Sequence, residues 1–226
     1  MKKIILISWI IFLTGCATHP QVSTTRMKKG DTERGWVFSV ENVLPYYYYR
    51  TALTDQSNLG FRMGVLVGGA GIDYSRLLYS KENKWDVLNL AWSFNPNYNI
   101  DATYYKFYQG KQKGEKSPFV FWWGLRGMYI PVGVSGGTST RMGLLFGMQP
   151  WARTGFEIGY FHDSSAMPLG KVFSPSWKWD DPENITRYGD TPHISDSGLP
   201  SEYSRLTGIS IRFYIMTGKK VNGSKP

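Results

Sequence analysis

Two short runs in this 226-residue chain place a histidine two residues before a serine, His162-Asp163-Ser164 and His193-Ile194-Ser195. In extended backbone, residues i and i+2 project from the same face. Each pair could therefore meet one substrate, with the imidazole as general base and the hydroxyl as nucleophile. That is the chemistry of ester hydrolysis, and it also calls for an acid to orient the base. Glu183 and Glu202 lie in the same stretch. Asp180, Asp181 and Glu183 could offer oxygen ligands to a hard cation, although a solvated acidic turn explains them as well. No Cys/His metal spacing, phosphate loop or dinucleotide fingerprint is present, so neither a cofactor nor a metal site is expected.

The single cysteine, Cys16, has a different chemistry. It follows a start carrying Lys2 and Lys3, an apolar stretch from Ile4 to Leu13, and the small residues Thr14 and Gly15. A spanning helix needs about 20 apolar residues, and this stretch is about half that, which is the pattern of a secretory signal. The run Leu13-Thr14-Gly15-Cys16 resembles the bacterial lipobox. The resemblance implies cleavage before Cys16 and lipid on its sulfur and its new amino group. A lone thiol in an oxidising compartment is a liability, and lipidation removes it. Ala17 stands where an Asp would favour inner-membrane retention in enteric bacteria, so the resemblance implies the outer membrane, with a periplasmic, lipid-anchored amino terminus.

Loss of residues 1–15 lowers the formal net charge from +9 to +7, because Lys2 and Lys3 go with them. A basic balance suits phosphate-rich surfaces. For an exported chain this means lipid headgroups and lipopolysaccharide as partners, and no nucleic acid. Residues 16–35 are polar and basic with little to bury, which predicts a lipidated flexible tether. Lys219, Lys220 and Lys225 mark 218–226 as a disordered tail.

Between these ends the chain alternates. Trp36, Phe38 and Val40 share one face against Ser39 and Glu41. Leu88, Leu90, Trp92 and Phe94 oppose Asn89, Ala91 and Ser93, and the next strand follows after Asn95-Pro96-Asn97, a strong turn. Further segments set Phe119, Phe121, Trp123 and Leu125 against Val120, Trp122, Gly124 and Arg126. Others set Met142, Leu144 and Phe146 against Arg141, Gly143 and Gly147. Near the end, Phe156, Ile158 and Tyr160 oppose Gly155, Glu157 and Gly159, while Ile209, Ile211, Phe213 and Ile215 oppose Gly208, Ser210 and Arg212. One face is apolar and the other mixes glycine with Glu41, Asp101, Arg126, Arg141, Glu157 and Arg212. Charges on the inner face and apolar side chains on the outer face describe a small membrane barrel.

The expected fold is thus all-β, an antiparallel up-and-down transmembrane β-barrel over 36–217. The count is eight if the chain runs on through Pro45 and through Gly68-Gly69-Ala70-Gly71, and ten if both are turns. Either even number returns both termini to one side. Residues 163–203 then form one long outward loop, which is the place for specificity.

The His162 run also resembles, faintly, that of the lipid A 3-O-deacylase family, outer-membrane barrels with a His-x-Ser-Asn run at the outer rim of the penultimate strand and a Glu after it. Over Phe156 to Ala166 the resemblance implies His162 as base and Ser164 as nucleophile, with Ser165 in place of the Asn. The family's Glu has no counterpart at its usual spacing, and Glu202 is the acid assigned to that role. Three functions follow as expectations. The first is an outer-membrane barrel lipoprotein of structural or surface-interaction type, the second is an outer-leaflet lipid hydrolase with serine esterase chemistry, and the third is a small ligand channel, which would conduct in planar bilayers as eight strands around a charged core should not.

Overall fold

Alternation with period two becomes ten strands in the computed structural model, which describes residues 19–39, 42–64, 70–94, 98–110, 119–131, 138–163 and 209–221. They are β1 (Thr32–Ser39), β2 (Asn42–Thr54), β3 (Ser57–Gly64), β4 (Gly71–Lys81), β5 (Lys84–Ser93), β6 (Ile100–Gln109), β7 (Val120–Ile130), β8 (Ser139–Gln149), β9 (Thr154–Asp163) and β10 (Ile209–Lys220). Each pairs antiparallel with its sequence neighbours, and β1 closes onto β10. Closure removes the unpaired edge that an open sheet would present. Two-residue reversals at Asp55-Gln56 and Glu82-Asn83 join β2 to β3 and β4 to β5. Glu82 sits at φ 29, in the left-handed region that a two-residue hairpin turn selects.

The two ambiguous places in the sequence resolve differently. Residues around Gly68 separate β3 from β4 as a connection. Pro45, in contrast, lies inside β2, and the reversal falls before it, between Ser39 and Asn42. Proline has no N–H to give the ladder. Accordingly the β1–β2 register jumps from Val37 opposite Tyr46 to Ser39 opposite Asn42, leaving Pro45 in the irregularity.

The side-chain distribution is inverted relative to a soluble sandwich. On β5, Leu90 and Trp92 are 49% and 47% exposed, while Asn89 and Ser93 are fully buried. The same inversion holds on β8 and β9, where Leu144, Phe146 and Ile158 face out and Leu145, Gly147 and Glu157 face in. Of the inward side chains, Arg50, Arg62, Arg126 and Arg212 share the lumen with Asp73, Asp101 and Glu157, and below them Tyr48, Trp85, Tyr105, Phe107, Trp122 and Tyr214 pack together.

An eight-stranded barrel is just filled by its own side chains. Ten strands enclose more, and the extra space here is taken by the chain itself. Residues 16–35 were expected as a flexible tether, but residues 32–35 open β1, and residues 19–27 run inside the lumen, with His19, Gln21, Val22, Ser23, Thr24 and Met27 all buried. The physical reason is polar complementarity. Short side chains and backbone carbonyls that cannot form a core of their own meet donors on the wall. Arg212 Nη1 donates to the Pro20 carbonyl (2.6 Å) and Arg50 Nη2 to that of Gln21 (2.7 Å). Tyr46 donates to the His19 carbonyl, Ser23 Oγ to Glu33 Oε2 (2.9 Å), and Thr24 to Gln149. At the rim, Arg26 Nη2 reaches the Glu82 carbonyl (2.6 Å). Gly30, at φ 84, then turns the chain and bonds the Ala52 carbonyl before β1 begins. The expected tail also starts later than 218. Gly218, Lys219 and Lys220 belong to β10, opposite Arg34, Glu33 and Thr32.

Candidate functional site

His162 is the next-to-last residue of β9, opposite Met142 of β8, which in turn faces Gly127 of β7. Alternation puts it in the outward set with Phe156, Ile158 and Tyr160, which are 37%, 49% and 47% exposed. His162 is only 8% exposed. An imidazole open at the outer surface was expected, and this one is covered. The Tyr160 ring lies beside it at 6.5 Å between centroids. Ser164 and Glu202, the other two members of the expected triad, lie outside the described residues. So do Cys16, His193, Ser195, Asp180, Asp181 and Glu183. His162 is therefore the only member of that triad whose surroundings are visible.

Beside His162, from its strand neighbour Tyr160 across its partner Met142 to β7, the outer wall is notched. A groove of about 370 Å³ runs between Leu125, Gly127, Met142, Leu144 and Tyr160, with Gly143 and Arg126 at its floor. Gly127 makes the notch, because a Cβ there would meet no atom within 4 Å. Elsewhere the glycines serve the inside. A Cβ on Gly147 would come within 2.2 Å of the Trp122 ring, so that glycine lets an indole lie flat on the wall.

In the lumen one carboxylate collects donors from three elements. Glu157 Oε1 accepts from His19 Nε2 (2.8 Å) and from Arg212 Nη2 (3.0 Å), while Oε2 accepts from Trp122 Nε1 (2.7 Å). The Tyr105 hydroxyl lies 3.1 Å from the same His19 nitrogen. A second centre joins Arg50 to Asp73, whose Oδ2 also accepts from Asn89 Nδ2 (2.7 Å). A third joins Arg126 Nη2 to Asp101 Oδ2 (3.2 Å). Each is a charge pair removed from water, which persists only when paired and hydrogen-bonded. Among the described residues five buried arginines face five buried carboxylates. A lumen so balanced fills space and fixes a plug, and lacks the single sign of charge that would draw an ion through.

Sequence reasoning singled out the charges of the inner face but missed their partner. His19 was placed in the tether, whereas it is the link between the plug and Glu157. The available signal was indirect, namely a polar, aromatic-poor amino-terminal run beside a barrel too wide to fill itself. Among the described residues no three His, Cys, Asp or Glu side chains are grouped to hold a metal ion.

Comparison with protein-family models, curated proteins and solved structures finds no match to this chain. The class it belongs to is set by its own geometry, a closed antiparallel ten-stranded β-barrel.

Proposed function

We propose that this chain is an outer-membrane β-barrel lipoprotein of structural or surface-interaction type, held in the bilayer by its strands, lipidated at Cys16, and carrying its specificity in the 163–203 loop. The observation that carries this reading is the belt of large apolar side chains on the outer wall, among them Phe38, Leu90, Trp92, Leu144, Phe146, Ile158 and Ile211, each 40% or more exposed. In water such a belt is an aggregation surface, and in a bilayer it is the required one. Strands are the only spanning element available besides helices, because each backbone group must find its partner within the protein.

Connection lengths supply an orientation independent of Cys16. At one end the strands are joined by Asp55-Gln56, Glu82-Asn83, 150–153 and the longer 110–119, and at the other by the two-residue 40–41 and by 65–70, 94–99, 131–138 and 164–208, so that four of the five connections at the second end have six residues or more. Short turns belong to the periplasmic side and long loops to the outside. The partners are outer-membrane lipids and lipopolysaccharide, in keeping with the basic balance of the chain. The folded, unheated protein is expected in the outer-membrane fraction and to migrate faster on a detergent gel than the boiled protein. Equal migration, or recovery in the soluble fraction, would contradict the reading.

A hydrolase is the second reading, favoured by the apolar groove beside His162, lined by Leu125, Met142, Leu144 and Tyr160, which is wide enough to take an acyl chain. It predicts a change in lipid A mass on expression, lost in Ser164→Ala. Lipid A unchanged by the unaltered protein rules it out.

A further inference from the structure

The exposed charges of the barrel are sorted by end. Ten lysines and arginines are exposed among the described residues, and all ten lie at the end closed by Asp55-Gln56, Glu82-Asn83 and 150–153, the turn end, or on the half of the wall next to it. Asp55 and Glu82 are the only exposed carboxylates among the same residues, and both sit in those turns. The sequence of the connections widens the contrast. At the turn end, 110–119 carries Lys111, Lys113 and Lys116 against Glu115, whereas at the loop end 164–208 carries four lysines and arginines against six aspartates and glutamates. The other loop-end connections hold Glu41 and no cation. The positive balance of the chain thus belongs to one rim.

Several of these cations stand at the edge of the outer wall. Arg34, exposed on the outward face of β1, lies across β10 over Gly218, where a Cβ would come within 2.7 Å of its Nε. Lys84 Nζ is 5.6 Å from the centroid of the Tyr108 ring, its partner across the β5–β6 ladder. Arg153 follows Trp151, 65% exposed, in the connection between β8 and β9. Aromatic rings on the outside of a membrane barrel mark the edge of the hydrocarbon. A lysine or arginine beside them keeps its stem on the apolar wall and extends its charge to the headgroup phosphates. The nearby carboxylates are already engaged within the protein. Asp55 Oδ1 accepts the Lys29 N–H (2.7 Å), and Asp86 Oδ2 accepts from the Tyr104 hydroxyl (2.7 Å) and pairs with Lys106 (3.5 Å). Mobile point charges spread over β1, β5, β10 and the 150–153 connection suit a field of phosphates and not one fixed small anion.

We infer that this rim binds the anionic phospholipids of the leaflet at the turn end and gathers them round the barrel. The inference rests on the outer-membrane reading, under which that leaflet is the periplasmic one. It also changes the partner that net charge alone suggested. Lipopolysaccharide occupies the opposite leaflet, where the described residues expose no charge and the connections are acidic on balance.

The test reconstitutes the full-length protein in phosphatidylcholine vesicles with a trace of spin-labelled phosphatidylglycerol or spin-labelled phosphatidylcholine, and reads the fraction of label immobilised against the protein. The rim predicts that phosphatidylglycerol is favoured about threefold or more at low salt. The preference should fade at about 0.5 M salt. The combined variant Arg34→Gln, Lys84→Gln, Arg153→Gln and Lys220→Gln, shown to be folded by faster migration before heating, should hold the two lipids equally. Equal association in the unaltered protein, or a preference that survives in the folded variant, overturns the inference and leaves the barrel reading standing. If neither label is immobilised, the membrane reading fails first. A second arm names the lipid in cells, where Trp151→benzoylphenylalanine is irradiated and its adducts are weighed by mass spectrometry. Phospholipid adducts are expected, and lipid A adducts would overturn the assignment of the rim to the phospholipid leaflet.

Discussion

Glu157 ties the luminal segment to two strands of the wall. It takes three hydrogen bonds from three separate elements, Arg212 of β10, Trp122 of β7 and His19 of the luminal segment. Glu157→Ala leaves a buried guanidinium, an indole N–H and an imidazole without their shared acceptor, a loss of about 3–5 kcal/mol. Denaturant unfolding in lipid vesicles, followed by tryptophan fluorescence, should show it as a lower midpoint. The glycines provide a matched pair. Gly147→Ala drives a methyl into the Trp122 ring and should cost about 1–3 kcal/mol, measured the same way. Gly127→Ala enters open space on the outer wall and should change stability by less than about 0.5 kcal/mol. At this scale the sequence was half legible. Alternation named Glu157, Arg126 and Arg212 as inward charges, because period two is a local property. Pairing across the barrel was not legible, since Glu157 and His19 are 138 residues apart and no local pattern encodes their contact. The candidate His162 shows the limit of parity itself, for alternation assigns a face to a side chain but does not say what covers it.

Among the elements, the luminal segment is the one the sequence concealed. Its composition is that of a linker, and in water residues 19–27 would be one. Inside the barrel the same serine, threonine and glutamine groups, with their backbone carbonyls, are the partners that Arg50, Glu33 and Arg212 require. The strands were legible because each carries its alternation within ten residues or so. The β1–β2 reversal was displaced from Pro45 because a proline marks an irregularity in a ladder as readily as its end. Deletion of residues 19–27 should remove the plug and leave a polar lumen. Reconstituted in planar bilayers, the intact protein should be silent and the deletion variant should conduct. A silent deletion variant would mean that side chains of the wall alone close the barrel.

At the scale of the whole molecule the outer wall is apolar, and under the proposed reading it meets acyl chains. Leu144, 48% exposed at the middle of β8, is a position where a charge should be tolerated if the wall meets water. In a bilayer Leu144→Arg should cost about 2–4 kcal/mol near the midplane, read as a lowered unfolding midpoint beside Glu157→Ala. The most direct measurement uses spin labels on cysteines placed singly at Phe156, Ile158 and Tyr160 of β9, with the protein reconstituted in lipid bilayers. An acyl-chain environment predicts that the spectra relax strongly with dissolved oxygen, which partitions into lipid, and weakly with a water-soluble nickel complex. If the nickel complex dominates at all three positions, the outer wall faces water and the membrane barrel is wrong.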